Sequence, residues 1–292
     1  ADAVRPISGK THYDSIAQDT IAMAVNDLIT VGATPLSVHA YWSAGGSDWF
    51  ADEERLRDLV TGWQQACDTC RVSWGGGETP ALAGVVEEGR IDLAASSVGI
   101  IPSRERLTLG DKLAAGDAIV LLAASGIHAN GVSLARKLIE RLPEGYATRI
   151  GDGRTYGEAL LDPTTLYVPV TEALFAAGIV PHYSANITGH GWRKIMRHPA
   201  SFTYRIHTLP DVPPVLAFIQ QQAGIDDREA YGSLNMGAGF ALFVAAEQAE
   251  ECARIAREAG VAAWVAGRVE AGDKQVVIEP LALSYAESEL HL

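Results

Sequence analysis

Carboxylate and amide side chains occur on one stretch near the N-terminus, residues 14–31. Apolar residues recur there at intervals of three and four, which predicts a buried helix. Asp19 and Asn26 are seven residues apart and share one face of that helix, with Asp27 at its edge. Polar groups on a mostly apolar helix are costly unless they find partners. Mg²⁺ bound to nucleotide phosphates would supply partners, and a neighbouring backbone group or an arginine would do so equally well.

Three glycines and a carboxylate follow Trp74 in the stretch GGGETP, residues 75–80. Glycine permits positive φ angles and close backbone approach, and Glu78 could meet a metal ion or an amine at the tip of a loop. The stretch is not a Walker loop, because GxxxxGK[ST] occurs nowhere in the sequence. By itself the pattern predicts a structural turn more strongly than a ligand site.

The stretch SGIHANG, residues 125–131, follows an apolar strand and precedes a predicted helix. Backbone N–H groups gather around anions in such a context. Ser125, His128 and Asn130 could add side-chain donors. A lone histidine is more often structural, but its position at the end of a strand makes His128 a candidate for contact with a ligand.

The stretch NITGHG, residues 186–191, also follows a strand and opens a predicted helix. Arg193 and Lys194 would lie in the first turn of that helix. Two cations there oppose the helix dipole unless they serve an anion. The pattern therefore favours a phosphate site over a solvated basic turn.

Composition limits the class of partner. The chain has 292 residues and a formal net charge of −13. A uniformly acidic surface repels nucleic acids and anionic membranes, so we expect neither as a partner. No apolar run reaches the length of about 20 residues that spans a bilayer, and the first residues lack an apolar signal core. The three cysteines, an odd and small number, indicate a reducing compartment, and we expect a cytoplasmic protein.

Helical and strand patterns mix along the whole chain, which indicates an α/β or α+β fold class. A short loop rich in glycine and aspartate, GDKLAAGDA, precedes a new strand, and we place a domain boundary there. The predicted domains are residues 1–109 and 110–292. The predicted helices cover residues 14–31, 51–70, 131–142, 162–178, 213–223 and 246–260. The predicted strands cover residues 35–43, 91–101, 118–124, 237–245, 262–270 and 275–280.

Four stretches together resemble the aminoimidazole ribonucleotide (AIR) synthetase family, phosphoribosylformylglycinamidine cyclo-ligase. AMAVNDLITVGATPL resembles the family segment A-x-x-VNDL-x-x-x-GA-x-PL, and GGGETP resembles its GGET loop. SGIHANGVSLARKL resembles SG-x-H-x-NG-x-S-L-x-R, and SLNMGAGF resembles x-x-N-x-G-x-G. Each stretch is weak alone, but the four occur in the family's order at about its spacing and span nearly the whole chain.

The resemblance implies an architecture and an activity. The N-terminal half would bind ATP and form a homodimer through its sheet, and a C-terminal α/β half would close over a small phosphate-bearing substrate. The activity would be that of an ATP-dependent ligase of purine biosynthesis, which closes formylglycinamidine ribonucleotide into aminoimidazole ribonucleotide. ATP would first phosphorylate the formyl oxygen, and an internal amine would then attack the carbon.

The resemblance also assigns residues to roles. The candidate catalytic residues are Asp27, His128 and Asn130. The ATP site would comprise Asp19, Asn26, Asp27, Gly76, Gly77 and Glu78, with Mg²⁺ held by Asp27 and Glu78. The substrate site would comprise Ser125, Gly126, His128, Asn130, Gly131, Thr188, Gly189, His190 and Gly191.

Three departures from the family pattern leave other functions open. The family has a DG-x-GTK segment upstream of its VNDL helix, and residues 1–292 do not include it, so we expect these residues to form an incomplete ATP site. GGETAEMPG is replaced by GGETPALAG, and TGGG-x-x-EN by TGHGWRKI, which puts Lys194 and Ile195 where the family has an acid–amide pair. The last two changes also fit a related enzyme that phosphorylates or activates a different small molecule. A non-catalytic dimeric binding protein is the third hypothesis, and the intact Asn26, Asp27 and Glu78 argue against it.

Overall fold

The computed structural model describes residues 1–290, and two β-sheets organise them. The first sheet has the strand order β2-β1-β3. Its strands are β1 (Thr34–Ala44), β2 (Ser73–Glu78) and β3 (Ile91–Ile100). β1 is parallel to β2 and antiparallel to β3.

Helices cover one face of this sheet. They are α2 (Tyr13–Leu28) and α3 (Glu53–Cys70), and the short α1 (Arg5–Ser8) precedes them. The predicted helix at 14–31 is confirmed, and its last turn tightens into a 3₁₀ helix, Ile29–Val31. The predicted helix at 51–70 is confirmed as α3, whose first turn is capped because the side chain of Asp52 accepts a hydrogen bond from the Arg55 N–H.

The glycine stretch forms an edge strand, so the prediction of a turn was wrong. Glu78 lies opposite Tyr41 in the parallel ladder between β2 and β1. A Cβ atom placed on Gly77 would lie 2.2 Å from the carbonyl oxygen of Ala40. Gly77 is required because the neighbouring strand approaches so closely, whereas Gly76 adopts a φ of 107° beside an irregularity in the ladder, a conformation that favours glycine.

The second sheet contains seven strands and carries the rest of the fold. In spatial order they are β10-β9-β6-β8-β4-β7-β5, and only the β6–β9 pair is parallel. Their ranges are β4 (Ala118–Ala123), β5 (Tyr183–Asn186), β6 (Phe202–Ile206), β7 (Ala238–Val244), β8 (Ala263–Ala271), β9 (Gln275–Ile278) and β10 (Leu283–Ala286). Val120 and Leu122 of β4 join the core of the N-terminal half, whereas Ile119 and Leu121 pack in a second core on the opposite face. The mixed α/β (α+β) class is therefore confirmed.

Helices cover both faces of the second sheet. They are α4 (Val132–Leu138), α5 (Tyr156–Ala159), α6 (Val168–Ala176), α7 (Pro214–Ala223), α8 (Asp227–Ser233) and α9 (Ala249–Glu258). The predicted helix at 162–178 was too long, because α6 begins only at Val168. Residues 162–167 precede it without regular structure. Within residues 1–290, no helix has both the length and the apolar character that a bilayer crossing requires.

The irregular segment at 164–167 exchanges hydrogen bonds with side chains of α2. The Asn26 amide donates to the Thr165 carbonyl oxygen at 2.8 Å and accepts from the Tyr167 N–H at 3.0 Å. The Asp19 carboxylate accepts from the N–H and the hydroxyl of Thr164 at 2.7 and 2.6 Å. These side chains supply the partners that the segment's backbone lacks outside a helix. The boundary at 109/110 lies between the last strand of the first sheet and the first strand of the second, and it stays a prediction.

The Asn26→Ala variant is expected to lose about 2 to 4 kcal/mol of unfolding free energy, because the substitution leaves the Thr165 carbonyl and the Tyr167 N–H buried without partners. Urea denaturation at neutral pH measures this difference. Met23→Ala is the matched control on the same helix, since Met23 is 60% exposed and should change stability by less than about 0.5 kcal/mol. Equal effects of the two substitutions would contradict the role of Asn26.

Candidate active site

A cleft between the two halves runs along the exposed face of α2. At one end, Asp19 and Met23 face His128 across a cavity of about 430 Å³. At the other end, Asp27 faces Asn186 across a cavity of about 310 Å³. Asp19, Met23 and Asp27 are spaced four residues apart, which places all three on one side of the helix. The cleft therefore has one wall from each half of the chain.

His128 is held as a neutral side chain at the floor of the larger cavity. It is 6% exposed, and burial lowers its pKa to about 4. Its Nε2 accepts a hydrogen bond from the Ser125 N–H at 3.1 Å, so Nδ1 carries the proton of the neutral ring. His128 can therefore donate one hydrogen bond to a ligand near pH 7, but it supplies no positive charge.

The stretch SLNMGAGF fixes the loop that carries His128. The Asn235 amide donates to the Gly126 carbonyl at 2.9 Å and accepts from the Gly237 N–H at 2.9 Å. A Cβ atom placed on Gly239 would lie 2.0 Å from the Tyr167 hydroxyl oxygen and 2.7 Å from Cε1 of His128. Asn235 and Gly239 are thus positioning residues; both belong to the SLNMGAGF motif, but neither was among the predicted site residues.

The two predicted substrate loops, 125–131 and 186–191, lie beside each other. A Cβ atom placed on Gly189 would lie 3.6 Å from Oδ1 of Asn130. Thr188 accepts a hydrogen bond from the ammonium of Lys194, and the hydroxyl of Ser125 is turned away to the Pro163 carbonyl at 2.6 Å.

The elements that follow these loops are short. Gly131 caps α4 with φ of 81°. The helix predicted after the second loop is only a six-residue 3₁₀ helix, Gly191–Met196, with half-buried His190 at its start.

Asp27 is exposed on α2 and points to the second loop, where its Oδ1 accepts a hydrogen bond from the Asn186 amide at 2.7 Å. Asn186 is the first residue of the predicted loop motif, but it was not among the predicted site residues. Only the fold reveals the contact, because the two residues are 159 positions apart. The acid of the N-terminal half and the polar loops of the C-terminal half therefore share one site.

The predicted ATP residues are not all gathered along this cleft. Asp19 and Asn26 are engaged with the 164–167 segment. Gly76, Gly77 and Glu78 lie on exposed β2, separated by β1 from the strand against which α2 packs. Their contacts with ATP stay predictions.

The fit of the site to Mg²⁺ follows from the same placement. Among residues 1–290, no cluster of three or more histidine, cysteine, aspartate or glutamate side chains could hold a metal ion. A magnesium ion at Asp27 would take most of its ligands from phosphate and water, as Mg²⁺ commonly does.

A ligand-sized cleft walled by two α/β halves, with convergent polar groups, is typical of an enzyme that encloses a small molecule. Models of the AIR synthase related protein family match both halves. The N-terminal domain model matches residues 2–101, and the C-terminal domain model matches residues 114–279. The chain belongs to the AIR synthase related family.

Curated relatives narrow the class. The chain is 35% identical over 271 residues to the phosphoribosylformylglycinamidine cyclo-ligase of Carboxydothermus hydrogenoformans, covering 91% of this chain and 77% of the relative. It is 38% identical over 285 residues to the cyclo-ligase of Symbiobacterium thermophilum, covering 93% and 78%. The cyclo-ligase of Methanocaldococcus jannaschii is 36% identical over 259 residues, covering 88% and 72%.

Solved structures share the fold at lower identity. The hydrogenase maturation protein HypE of E. coli superposes with a TM-score of 0.67 at 19% identity, covering 95% of this chain and 80% of that one. Thiamine monophosphate kinase of Aquifex aeolicus superposes with a TM-score of 0.60 at 15% identity, covering 93% and 82%. These likenesses establish the AIR-synthetase-like architecture.

Asp19 is expected to make stability depend on pH. Burial raises the pKa of its carboxyl from 3.8 to about 6, so between pH 4 and 6 the unfolded chain loses this proton while the folded chain keeps it. The free energy of unfolding should therefore fall as pH rises through this window, and the penalty should persist above pH 6.

The Asp19→Asn variant keeps an oxygen for Thr164 and removes this titration. Chemical denaturation of both proteins at pH 4.5 and 7.5 should show that the variant gains stability relative to the native chain at the higher pH. A difference between the two proteins that stays constant with pH would contradict the raised pKa of Asp19.

Proposed function

We propose that this chain catalyses the ATP-dependent closure of formylglycinamidine ribonucleotide to aminoimidazole ribonucleotide, with release of ADP and phosphate. The observation that carries the proposal is the identity of 35–38% to curated cyclo-ligases over about nine-tenths of the chain. The cleft supports it, because α2 of one half faces the 125–131 loop across the larger cavity and faces Asn186 of the 186–191 loop, through Asp27, across the smaller one. A structure of HypE in complex with ATP, with a TM-score of 0.65, supports nucleotide binding by this fold.

The chemistry requires positioning more than protein nucleophiles. The formyl oxygen attacks the terminal phosphoryl group of ATP and ADP leaves. The internal amine nitrogen then attacks the formyl carbon, and the carbon–oxygen bond breaks to release phosphate. Phosphorylation thus turns a poor leaving oxygen into a good one. The protein must hold the two reactants in line and neutralise phosphate charge.

The residues of the cleft fit these tasks. Mg²⁺, when bound, would neutralise phosphate oxygens, and Asp27 is the carboxylate positioned to hold it at this site. His128 presents its Nδ1–H as a neutral donor toward the reacting substrate. Asn130, placed beside Gly189, adds an amide between the two substrate loops. Asn235 and Gly239 hold the 125–131 loop, which carries His128, in position.

A homodimer is proposed from the uncovered face of the first sheet. Leu36, Val98 and Ile100 of this sheet are 49%, 56% and 50% exposed, although each is a large apolar side chain. Edge strand β2 is exposed at every residue. An apolar face beside an open edge strand is typical of an interaction surface. A second copy of the chain would cover both.

A cytoplasmic location is proposed from the cysteines. Cys67, Cys70 and Cys252 are free and buried, as is usual for proteins of a reducing compartment. Cys67 and Cys70 both lie within α3.

The Asp27→Asn variant is expected to lose about 100-fold or more in kcat with Mg-ATP, because it removes the acid that faces the phosphates. The assay couples ADP release to aminoimidazole ribonucleotide formation. Asp68→Asn, an exposed change on α3, is the control and should keep full activity. Full activity of Asp27→Asn would remove Asp27 from the site, and ADP formation without the cyclised product in the native protein would favour the related enzyme with another substrate.

The Val98→Asp variant is expected to be a monomer, whereas the native chain should sediment at twice the chain mass. A buried, unpaired carboxylate would cost more than the sheet contact supplies. Val85→Asp, in a loop at 80% exposure, is the matched control and should stay dimeric. Sedimentation velocity distinguishes the species, and a native protein that sediments as a monomer at micromolar concentration would rule out this dimer.

A further inference from the structure

The smaller cavity, of about 310 Å³, lies at the C-terminal end of α2, away from His128. Asp27 of α2 and Thr30 of the following 3₁₀ helix form one wall. The other wall is formed by Tyr183, Asn186, Lys194 and Arg197 of the C-terminal half. Lys194 and Arg197 are the cationic groups of its lining. None of the residues that the resemblance assigns to substrate binding lines this cavity.

Within residues 1–290, neither Lys194 nor Arg197 forms a salt bridge with a carboxylate. The half-buried ammonium of Lys194 donates a hydrogen bond to the neutral hydroxyl of Thr188. Desolvation, and more weakly the charge of Arg197, lower the pKa of Lys194, while Asp27 opposes the shift. The lowered pKa shows that Asp27 does not fully compensate the burial of this charge.

Asp27 is the acid of this lining, and one of its oxygens is already bonded to Asn186 at 2.7 Å. The cavity therefore carries two cations against one acid, in a chain whose formal net charge is −13. A local surplus of positive charge inside an acidic protein is a site for an anion. The positive net charge of this lining is particular to this sequence, because Lys194 and Ile195 stand where the family segment has an acid–amide pair.

We propose that Lys194 and Arg197 form a subsite that binds a phosphate group of a reactant. The inference rests on the proposed function, in which two reactants carry such a group. One source is the terminal phosphoryl group of ATP, and the other is the 5′-phosphate of the ribonucleotide. Both offer a dianionic phosphate to a lysine point charge and a guanidinium.

The first experiment tests the subsite without turnover. Isothermal titration calorimetry measures binding of inorganic pyrophosphate to the native chain and to Lys194→Met, which keeps the aliphatic stem and removes the charge. We expect Lys194→Met to bind about tenfold or more weakly, and exposed Arg197→Gln to bind several-fold more weakly. Lys194→Arg should retain more affinity than Lys194→Met.

Lys137→Met is the matched control, because Lys137 is an exposed lysine on α4 and its loss changes the net charge equally. Thermal denaturation checks that each variant is folded, and Arg197→Gln keeps the test valid if Lys194→Met is unstable. Pyrophosphate affinity that is unchanged in both Lys194→Met and Arg197→Gln, that falls equally in Lys137→Met, or that is undetectable in the native chain would overturn the subsite.

The second experiment identifies the source of the phosphate. In the native chain and in Lys194→Met, KM is measured for ATP and for formylglycinamidine ribonucleotide in turn, with the other reactant saturating. A rise of about tenfold in the KM for ATP alone assigns the subsite to the transferred phosphoryl group, and a rise for the ribonucleotide alone assigns it to the 5′-phosphate. If the KM values of Lys194→Met for both reactants equal those of the native chain, the subsite is overturned. Loss of pyrophosphate binding in Lys194→Met would support the subsite. If the native chain nevertheless forms no aminoimidazole ribonucleotide, the subsite stands and the cyclo-ligase is rejected.

Discussion

The site depends on the docking of α2 against the irregular backbone at 164–167. Asn26 uses both ends of its amide, and it is 2% exposed. Asp19, about two helical turns away on the same face, accepts two hydrogen bonds from Thr164. Buried backbone groups outside a helix or sheet must find partners, so the two halves are fixed relative to each other by polar contacts as well as by the shared apolar core. This docking sets Asp27 opposite the loops of the C-terminal half.

The two walls of the cleft differ in their electrostatics. The α2 wall supplies carboxylates, and burial keeps the pKa of Asp19 raised. The opposite wall supplies a neutral imidazole, because burial lowers the pKa of His128 to about 4. Positive charge lines the larger cavity at Arg136 and the smaller cavity at Lys194 and Arg197. Donors of different strength are thus placed at separate points along the cleft, which suits reactants that carry both phosphates and neutral amides.

The fold alone does not define the reaction. HypE and thiamine monophosphate kinase share the architecture at under 20% identity, and a common scaffold can host different chemistry. This chain is instead 35–38% identical to curated cyclo-ligases over about nine-tenths of its length. Asn235 and Gly239 explain why SLNMGAGF accompanies SGIHANG, since they hold the His128 loop through its backbone and through space for its ring.

The sequence by itself determined the long elements and the family. Periodicity located α2, α3 and β1, because apolar faces repeat at the helical or strand period within one segment. The sequence also identified the loops at 125–131 and 186–191, because glycine and polar residues follow apolar strands there. The family likeness rested on ordered motifs, which need no knowledge of contacts.

Only the tertiary structure decided which of these residues meet. The glycines at 75–77 predicted a turn, but pairing with β1 places them in an edge strand. The apolar pattern at 162–178 predicted one helix, yet its first residues stay irregular because α2 bonds their backbone. The contact between Asp27 and Asn186 joins positions 159 residues apart, and no local pattern encodes such a pairing. Sequence periodicity reports what each segment buries, whereas the partner it buries against is set by the packing of the whole chain.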